Sequence, residues 1–366
     1  MRYDGRTRSI LIGHSVWDGS EVYYTDRKFG VTFFLAKSRY GKTALAKHIV
    51  VKVSKYRPIL VFDYLGEWKG IGEYNWRSPY PDKCEDLTVL ENFGFKISDF
   101  TSSYWWSALG FAPSASDIIS YFANLIQLHY DDPRLFEGLL SKLPTSEDEV
   151  GRFNTEFSEF GIPPLPARFA EPSITSIKNT WSTIKDIFID PNNDDGQFHI
   201  TDWEVNDWGQ FFYEHPHLII NLQLNRTDYD KFKARILVGR ILQDIAPYLS
   251  RIKPLIILEE GDVLAPSWRA NISGPSLDEL IEYSKKYQKM GVSMIYICQD
   301  QRQVNEDCYE GHHQKIMGLV PRGNEHFELT EKLRWYYDSN YREFVMVDAS
   351  GRYVRFVPIK SCCKVW

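Results

Sequence analysis

The segment FFLAKSRYGKTALAKHIV, residues 33–50, holds most of a phosphate-binding loop. The usual pattern is G-x-x-x-x-G-K-[ST]. Here it reads Ala36-Lys37-Ser38-Arg39-Tyr40-Gly41-Lys42-Thr43, with alanine in place of the first glycine. The run GVTFFL (30–35) before it is rich in β-branched and aromatic residues and predicts a strand. Leu45, Ile49 and Val53 recur after it at helical spacing. A strand, a loop and a helix in this order aim backbone N–H groups and a helix N-terminus at phosphate oxygens. Lys37, Ser38, Arg39, Tyr40, Gly41, Lys42, Thr43 and Ala44 are expected to form the cradle. Lys42 is to reach the β/γ-phosphates and the Thr43 hydroxyl to bind Mg²⁺. Gly41 permits close backbone approach, and Ala36 accommodates its methyl group if its φ is negative. The competing reading is a chance Gly-Lys-Thr at the start of an ordinary helix. The strand running in and the helix running out favour the cradle.

Outward from this segment the chain reads as an α/β protein. ILVF (59–62) follows Pro58 and ends at Asp63, so strand, helix and strand imply a right-handed parallel crossover. HLIINLQL (217–224) is a third strand. A long amphipathic helix then carries Phe232, Ile236, Ile241, Ile245 and Leu249. PLIILEEGD (254–262) is a buried strand ending in two carboxylates. A helix with Pro275 near its start and Gly291 at its end leads into VSMIYICQD, another buried strand, which ends at Gln299. EFVMVDASGRYVRFVP (343–358) reads as a hairpin about Ser350-Gly351. Residues 1–74 and 216–366 are therefore expected to form one core. Residues 75–215, acidic, aromatic-rich and partly helical, read as an insertion into it.

Composition narrows the class. The 15% aromatic content opposes extensive disorder, and no apolar run approaches the length of a membrane span. Five cysteines without C-x-x-C or zinc spacing suggest reduced thiols and a cytoplasmic location, with Cys362-Cys363 as a simple tail. Residues 1–60 carry 12 basic against 4 acidic side chains, whereas 61–314 carry 22 against 39. That excludes a uniformly basic nucleic-acid coat but allows local basic surfaces near the two ends.

Hydrolysis at a phosphate loop also needs a carboxylate for Mg²⁺ and a group that positions the attacking water. Glu259 is the candidate for the metal, Glu260 for polarising the nucleophile, and Gln299 for contacting the γ-phosphate or the water. The competing reading, paired acids merely facing solvent, fits poorly with the apolar run that leads straight into them.

Together these segments resemble the HerA–FtsK superfamily of ring-forming, DNA-translocating ATPases. FFLAKSRYGKT matches its Walker A block. PILVFDYLGEW resembles the second-strand block, with Asp63, Gly66, Glu67 and Trp68. IILEEGD resembles the HerA-type Walker B, and YQKMGVSMIYICQD the block that ends in the sensor glutamine. Ala36 and Asp262 depart from the pattern, and no N-terminal barrel fits before the loop. Such a compact, divergent member is more like the ATPases of viruses and mobile elements. The resemblance implies a P-loop NTPase fold (RecA-like) with a mostly parallel central sheet flanked by helices, and ATP and Mg²⁺ as cofactors. It further implies double-stranded DNA as substrate and a homo-oligomer, in the usual case a hexamer, with a protein partner one role for the insertion. The catalytic set is then Lys42, Glu260, Gln299 and an arginine from the neighbouring subunit, for which Arg322 is preferred over Arg302 and Arg226.

Two rivals stand beside this reading. Asp63-Tyr64-Leu65-Gly66 and Asn225-Arg226-Thr227-Asp228 mimic GTPase motifs. However, the 21 residues from Lys42 to Asp63 leave no room for a switch loop and an extra strand, and Glu259, Glu260 and Gln299 would have no role. The other rival is a nucleotide-dependent switch or scaffold that moves nothing.

Overall fold

Four segments of continuous apolar sequence become strands buried at every position but Gly30, the first residue of β3, as strands covered on both faces must be. They are β3 (Gly30–Leu35), β4 (Ile59–Asp63), β7 (Leu255–Glu259) and β8 (Ser293–Cys298). The computed structural model describes residues 8–26, 30–91, 95–100, 102–108, 111, 113–128, 133–144, 146–158, 164–165, 177–182, 185, 188, 205, 207–222, 228–267, 280–282, 285, 287–308, 313–336, 341–348 and 350–364. These residues form two compact units, Met1–Glu91 with Asn206–Trp366, and Asn92–Val205. Residues 75–91 and 206–215, read from sequence with the insertion, thus group with the first unit.

The remaining strands of the first unit are β1 (Arg8–Ser15), β2 (Glu21–Asp26), β5 (Leu87–Leu90), β6 (His217–Asn221), β9 (His313–Met317), β10 (Trp335–Tyr336), β11 (Tyr341–Arg342), β12 (Phe344–Val347) and β13 (Tyr353–Pro358). Together with β3, β4, β7 and β8, all of these except β10 and β11 make one eleven-stranded sheet in the order β2-β1-β13-β12-β9-β3-β8-β7-β4-β6-β5. From β9 to β5 every pairing is parallel. From β9 to β2 every pairing is antiparallel. The sheet is therefore α/β and mostly parallel, with an antiparallel flank joining the two ends of the chain. The antiparallel β1 and β2 carry exposed residues among their buried ones, as strands solvated on one face do. The hairpin about Ser350-Gly351 is β12–β13, with Phe344 opposite Phe356 and Gly351 at φ 80°.

The helix α1 (Lys42–Ser54) follows β3 and packs its Leu45, Ile49 and Val53 into the core. Arg57, just beyond it, is fully buried and pairs with Asp26 at 3.0 Å. It also donates to the carbonyls of Lys253, Pro254 and Gly291 and to Ser293 Oγ, tying together the amino ends of β7 and β8. Every guanidinium nitrogen is thereby used, the condition under which a buried cation is tolerated.

The second unit has an aromatic core of its own. Trp106 stacks on Phe136 and Phe188 at centroid distances of 5.8 and 5.7 Å, and Trp181 stacks on Phe188 at 5.4 Å. Its helices include α2 (Ser103–Ala108), α3 (Pro113–Leu128), α4 (Pro133–Ser141) and α5 (Glu147–Ser158). Among the described residues no helix is long and apolar enough to cross a membrane.

Cys362 and Cys363, expected as a simple tail, are fully buried in the core of the first unit. The Cys362 amide donates to His48 Nδ1 at 3.3 Å, while His48 Nε2–H donates to the Leu11 carbonyl at 3.0 Å. This arrangement requires a neutral imidazole, and burial lowers the His48 pKa to about 4. The unfolded chain therefore binds the extra proton between pH 6.5 and 4, and the folded one does not. Full stability holds above pH 6.5 and is lost as pH falls through that window. His48→Asn keeps an acceptor but cannot titrate. The parent should lose stability relative to this variant by up to about 1.4 kcal/mol per pH unit over the window. Chemical denaturation at a series of pH values measures this, and a pH-independent difference would refute it.

Candidate functional site

Register brings the candidate residues to one edge. Leu35 pairs with Cys298, Ile297 with Glu259, and Leu258 with Phe62. Ala36, Gln299, Glu259 and Asp63 therefore all lie at the carboxyl ends of adjacent parallel strands, where open α/β sheets bind ligands.

The loop itself is tightly held. Gly318 N–H donates to the Leu35 carbonyl, and Lys37 N–H to the Leu319 carbonyl, each at 2.8 Å. Tyr40 turns away from the loop mouth and is fully buried. Its hydroxyl donates to the Glu343 carbonyl at 2.7 Å and its ring meets Phe344 edge-on at 5.2 Å. The ring lies so close to Gly318 that a Cβ there would sit 2.1 Å from it. Tyr40 is thus an anchor, and its amide donates to the Lys37 carbonyl. Of the eight cradle residues expected, Lys37 and Tyr40 spend their N–H groups inside the protein. Those of Ser38, Arg39, Gly41, Lys42, Thr43 and Ala44 meet no acceptor among the described residues. Unclaimed donors at the start of a 13-residue helix form a site for an anion.

Ala36 is absent from the positive-φ residues, whereas Arg39 (63°) and Gly41 (100°) are present. The substituted glycine position therefore does not need glycine, and Gly41 does. Lys42 Nζ donates to the carbonyls of Ala36 (2.7 Å) and Lys37 (3.4 Å). Burial lowers its pKa, opposed first by the charge of Glu260.

The Thr43 hydroxyl donates to Glu259 Oε1 at 3.1 Å. Glu259 is 1% exposed, and its Oε2 has no hydrogen-bond partner. Burial, then the neighbouring Asp63 carboxylate, pushes its pKa well above the usual range. Asp63 is committed to the backbone, accepting from the amides of Glu67 (3.1 Å) and Trp68 (2.8 Å). A hydroxyl beside a buried, half-unsatisfied carboxylate fits Mg²⁺, an oxygen-seeking cation. When bound, that ion would neutralise charge on the phosphates.

Glu260 sits in the left-handed region at φ 51°, unusual for glutamate and a mark of local strain at functional positions. Burial, then Asp262, raises its pKa, so it is more basic than a solvated carboxylate. Gln299 follows β8 directly and is half-buried. Arg302 is engaged locally, with its Nε donating to Asp300 and its Nη1 to the Gly323 carbonyl at 2.8 Å. Arg322 is exposed and has no hydrogen-bond or ion-pair partner among the described residues. Arg226 lies outside the described residues.

The structure adds Lys47, which sequence reading did not single out. It is fully buried, donates to the Glu67 carbonyl, and faces the charges of Glu259 and Asp63. Its position one turn beyond Thr43 was the only available signal.

No protein-family model and no curated protein matches this sequence. Solved structures do. The bacterial conjugative coupling protein TrwB is 12% identical, with 91% of this chain and 78% of that one covered at a TM-score of 0.50. VirB4 of Thermoanaerobacter pseudethanolicus is 15% identical, with 95% of each chain covered and a TM-score of 0.49. The genome packaging NTPase B204 of Sulfolobus turreted icosahedral virus 2, in complex with ATP-gammaS, is 9% identical, with 91% and 99% covered and a TM-score of 0.42. The chain has the P-loop NTPase fold.

The loop geometry gives a direct test. Ala36→Gly restores the consensus where no positive φ demands it, so it should lower stability by about 0.4–1 kcal/mol. Titration with an ATP analogue should show affinity unchanged within about threefold, roughly 0.6 kcal/mol. A tenfold gain would mean that the methyl group obstructs the site.

Proposed function

We propose that the protein hydrolyses ATP and couples hydrolysis to the movement of double-stranded DNA, working as a ring of identical subunits, in the simplest case six. The observation that carries the reading is the hydrogen bond from Thr43 to the half-unsatisfied Glu259, directly under a loop of unclaimed N–H groups. In this mechanism the N–H groups of Ser38, Arg39 and Gly41 to Ala44 orient the phosphates. Lys42 leaves the Ala36 carbonyl to meet the β/γ-phosphates. Thr43 and Glu259 would hold Mg²⁺, which would neutralise charge on the phosphates. Glu260 accepts the proton of the attacking water, aided by its raised basicity, and Gln299 positions that water or the γ-phosphate. Arg322, exposed and uncommitted, is the arginine offered to a neighbouring subunit's γ-phosphate. Resemblance in four ordered blocks supports DNA as the substrate. Residues 92–205 are the segment available to a protein partner, and the free cysteines suit a cytoplasmic setting.

Steady-state ATP turnover with and without duplex DNA tests the reading. DNA should stimulate the parent. Lys42→Ala should lose nucleotide binding, and Glu260→Gln should bind ATP yet turn over at least about a hundredfold more slowly. DNA affinity should fall with salt and show little sequence preference. Equal turnover with and without DNA would favour a nucleotide-dependent switch instead. Full turnover by Glu260→Gln would remove it as the base.

A further inference from the structure

The two-residue strand β11 brings an arginine onto the phosphate loop from the far side of the sequence. A Cβ built on Gly41 would lie 2.7 Å from Arg342 Nη1, 3.7 Å from its Cδ and 3.8 Å from its Cζ. The guanidinium therefore rests against the α-carbon of the glycine that precedes Lys42. Its position is fixed by its neighbours. Arg342 pairs with Trp335 across the β10–β11 hairpin, Glu343 N–H donates to the Arg334 carbonyl at 3.0 Å, and the Glu343 carbonyl accepts from Tyr40.

The adjacent carboxylate does not neutralise it. Glu343 is already matched by Arg355, at 2.7 Å from its Nε, and by the Arg334 amide at 2.9 Å. Arg342 Nε is buried without a hydrogen-bond partner, and no hydrogen bond or ion pair of its guanidinium is present among the described residues. An uncompensated cation at this depth is costly, and an anion beside it removes the cost. The N–H groups of Gly41 and its neighbours prepare the same place for an anion. A guanidinium fork matches phosphate oxygens in pairs, which an ammonium does not.

We propose that Arg342 is a phosphate ligand supplied by the same subunit, gripping the diphosphate that ATP and ADP have in common. This rests on the nucleotide-site reading above. Arg342 meets the loop at Gly41 from the hairpin, whereas Glu259 meets it at Thr43 from β7. The arginine thus serves binding of the phosphate chain, while the γ-phosphate chemistry belongs to the opposite side.

Isothermal titration of the parent, Arg342→Ala and Arg342→Lys with ADP and with ATPγS, Mg²⁺ present, tests it. Arg342→Ala should weaken both ligands by a similar factor, about ten- to a hundredfold. Arg342→Lys should fall between, since it keeps the charge and loses the fork. Thermal unfolding without nucleotide should be no lower for Arg342→Ala, because the cation has no protein partner to lose. If alanine does unsettle the hairpin, Arg342→Gln carries the same comparison. Parent-like affinity in Arg342→Ala, or a loss confined to ATPγS, overturns the proposal. A parent that binds neither nucleotide overturns the site reading itself, a separate outcome.

Discussion

The hydrogen bond from the Thr43 hydroxyl to Glu259 is the contact around which the first unit is arranged. It joins the start of α1 to the end of β7, 216 positions apart in sequence. It closes only if β3, β8 and β7 run parallel in the observed register, Leu35 beside Cys298 and Ile297 beside Glu259. A slip of one residue in β7 would point Glu259 at the opposite face. The continuous burial of the strands, the helix that follows β3 and the short turn after Glu259 all serve to keep that register.

A second constraint keeps the loop open for a ligand. Tyr40 leaves the loop to plug the core against Gly318 and Phe344, and Lys37 is clipped to Leu319. With both ends tied, the middle of the loop holds its N–H groups outward at no further ordering cost when an anion arrives, which is preorganisation in its ordinary sense. Arg39, Gly41 and Glu260 hold positive φ around the same mouth. Strain concentrated there is sustained by the packing beneath it. The missing first glycine is a minor matter in this setting, since Ala36 occupies an ordinary backbone conformation.

Much of this was legible in the sequence, for local reasons. GVTFFL, ILVF, LIIL and SMIYIC are contiguous apolar runs bounded by polar residues, so strand identity and the chemistry at their ends could be read together. The hairpin about Gly351 announced itself by its turn. What stayed hidden depends on contacts between distant segments. Nothing local marks Tyr40 as an inward-facing anchor, because its partners Gly318, Glu343 and Phe344 lie about 300 residues away. Nothing local marks Lys47, because Glu67, Asp63 and Glu259 are brought around it only by the fold. Cys362 and Cys363 looked like a tail because the partner of Cys362, His48, belongs to α1, and that of Cys363, Tyr74, is almost as distant in sequence. Arg342 was one of many arginines until the hairpin laid it on Gly41.

The central claim is that a ring of these subunits binds nucleotide on the Ser38–Ala44 loop and encloses DNA. Electron microscopy of the protein with a non-hydrolysable ATP analogue, Mg²⁺ and duplex DNA tests it most directly. The account predicts closed rings with duplex in the bore, nucleotide phosphates on the loop, and Arg322 of one subunit facing the γ-phosphate of the next. Dispersed single subunits under these conditions, or nucleotide bound away from the loop, would contradict it.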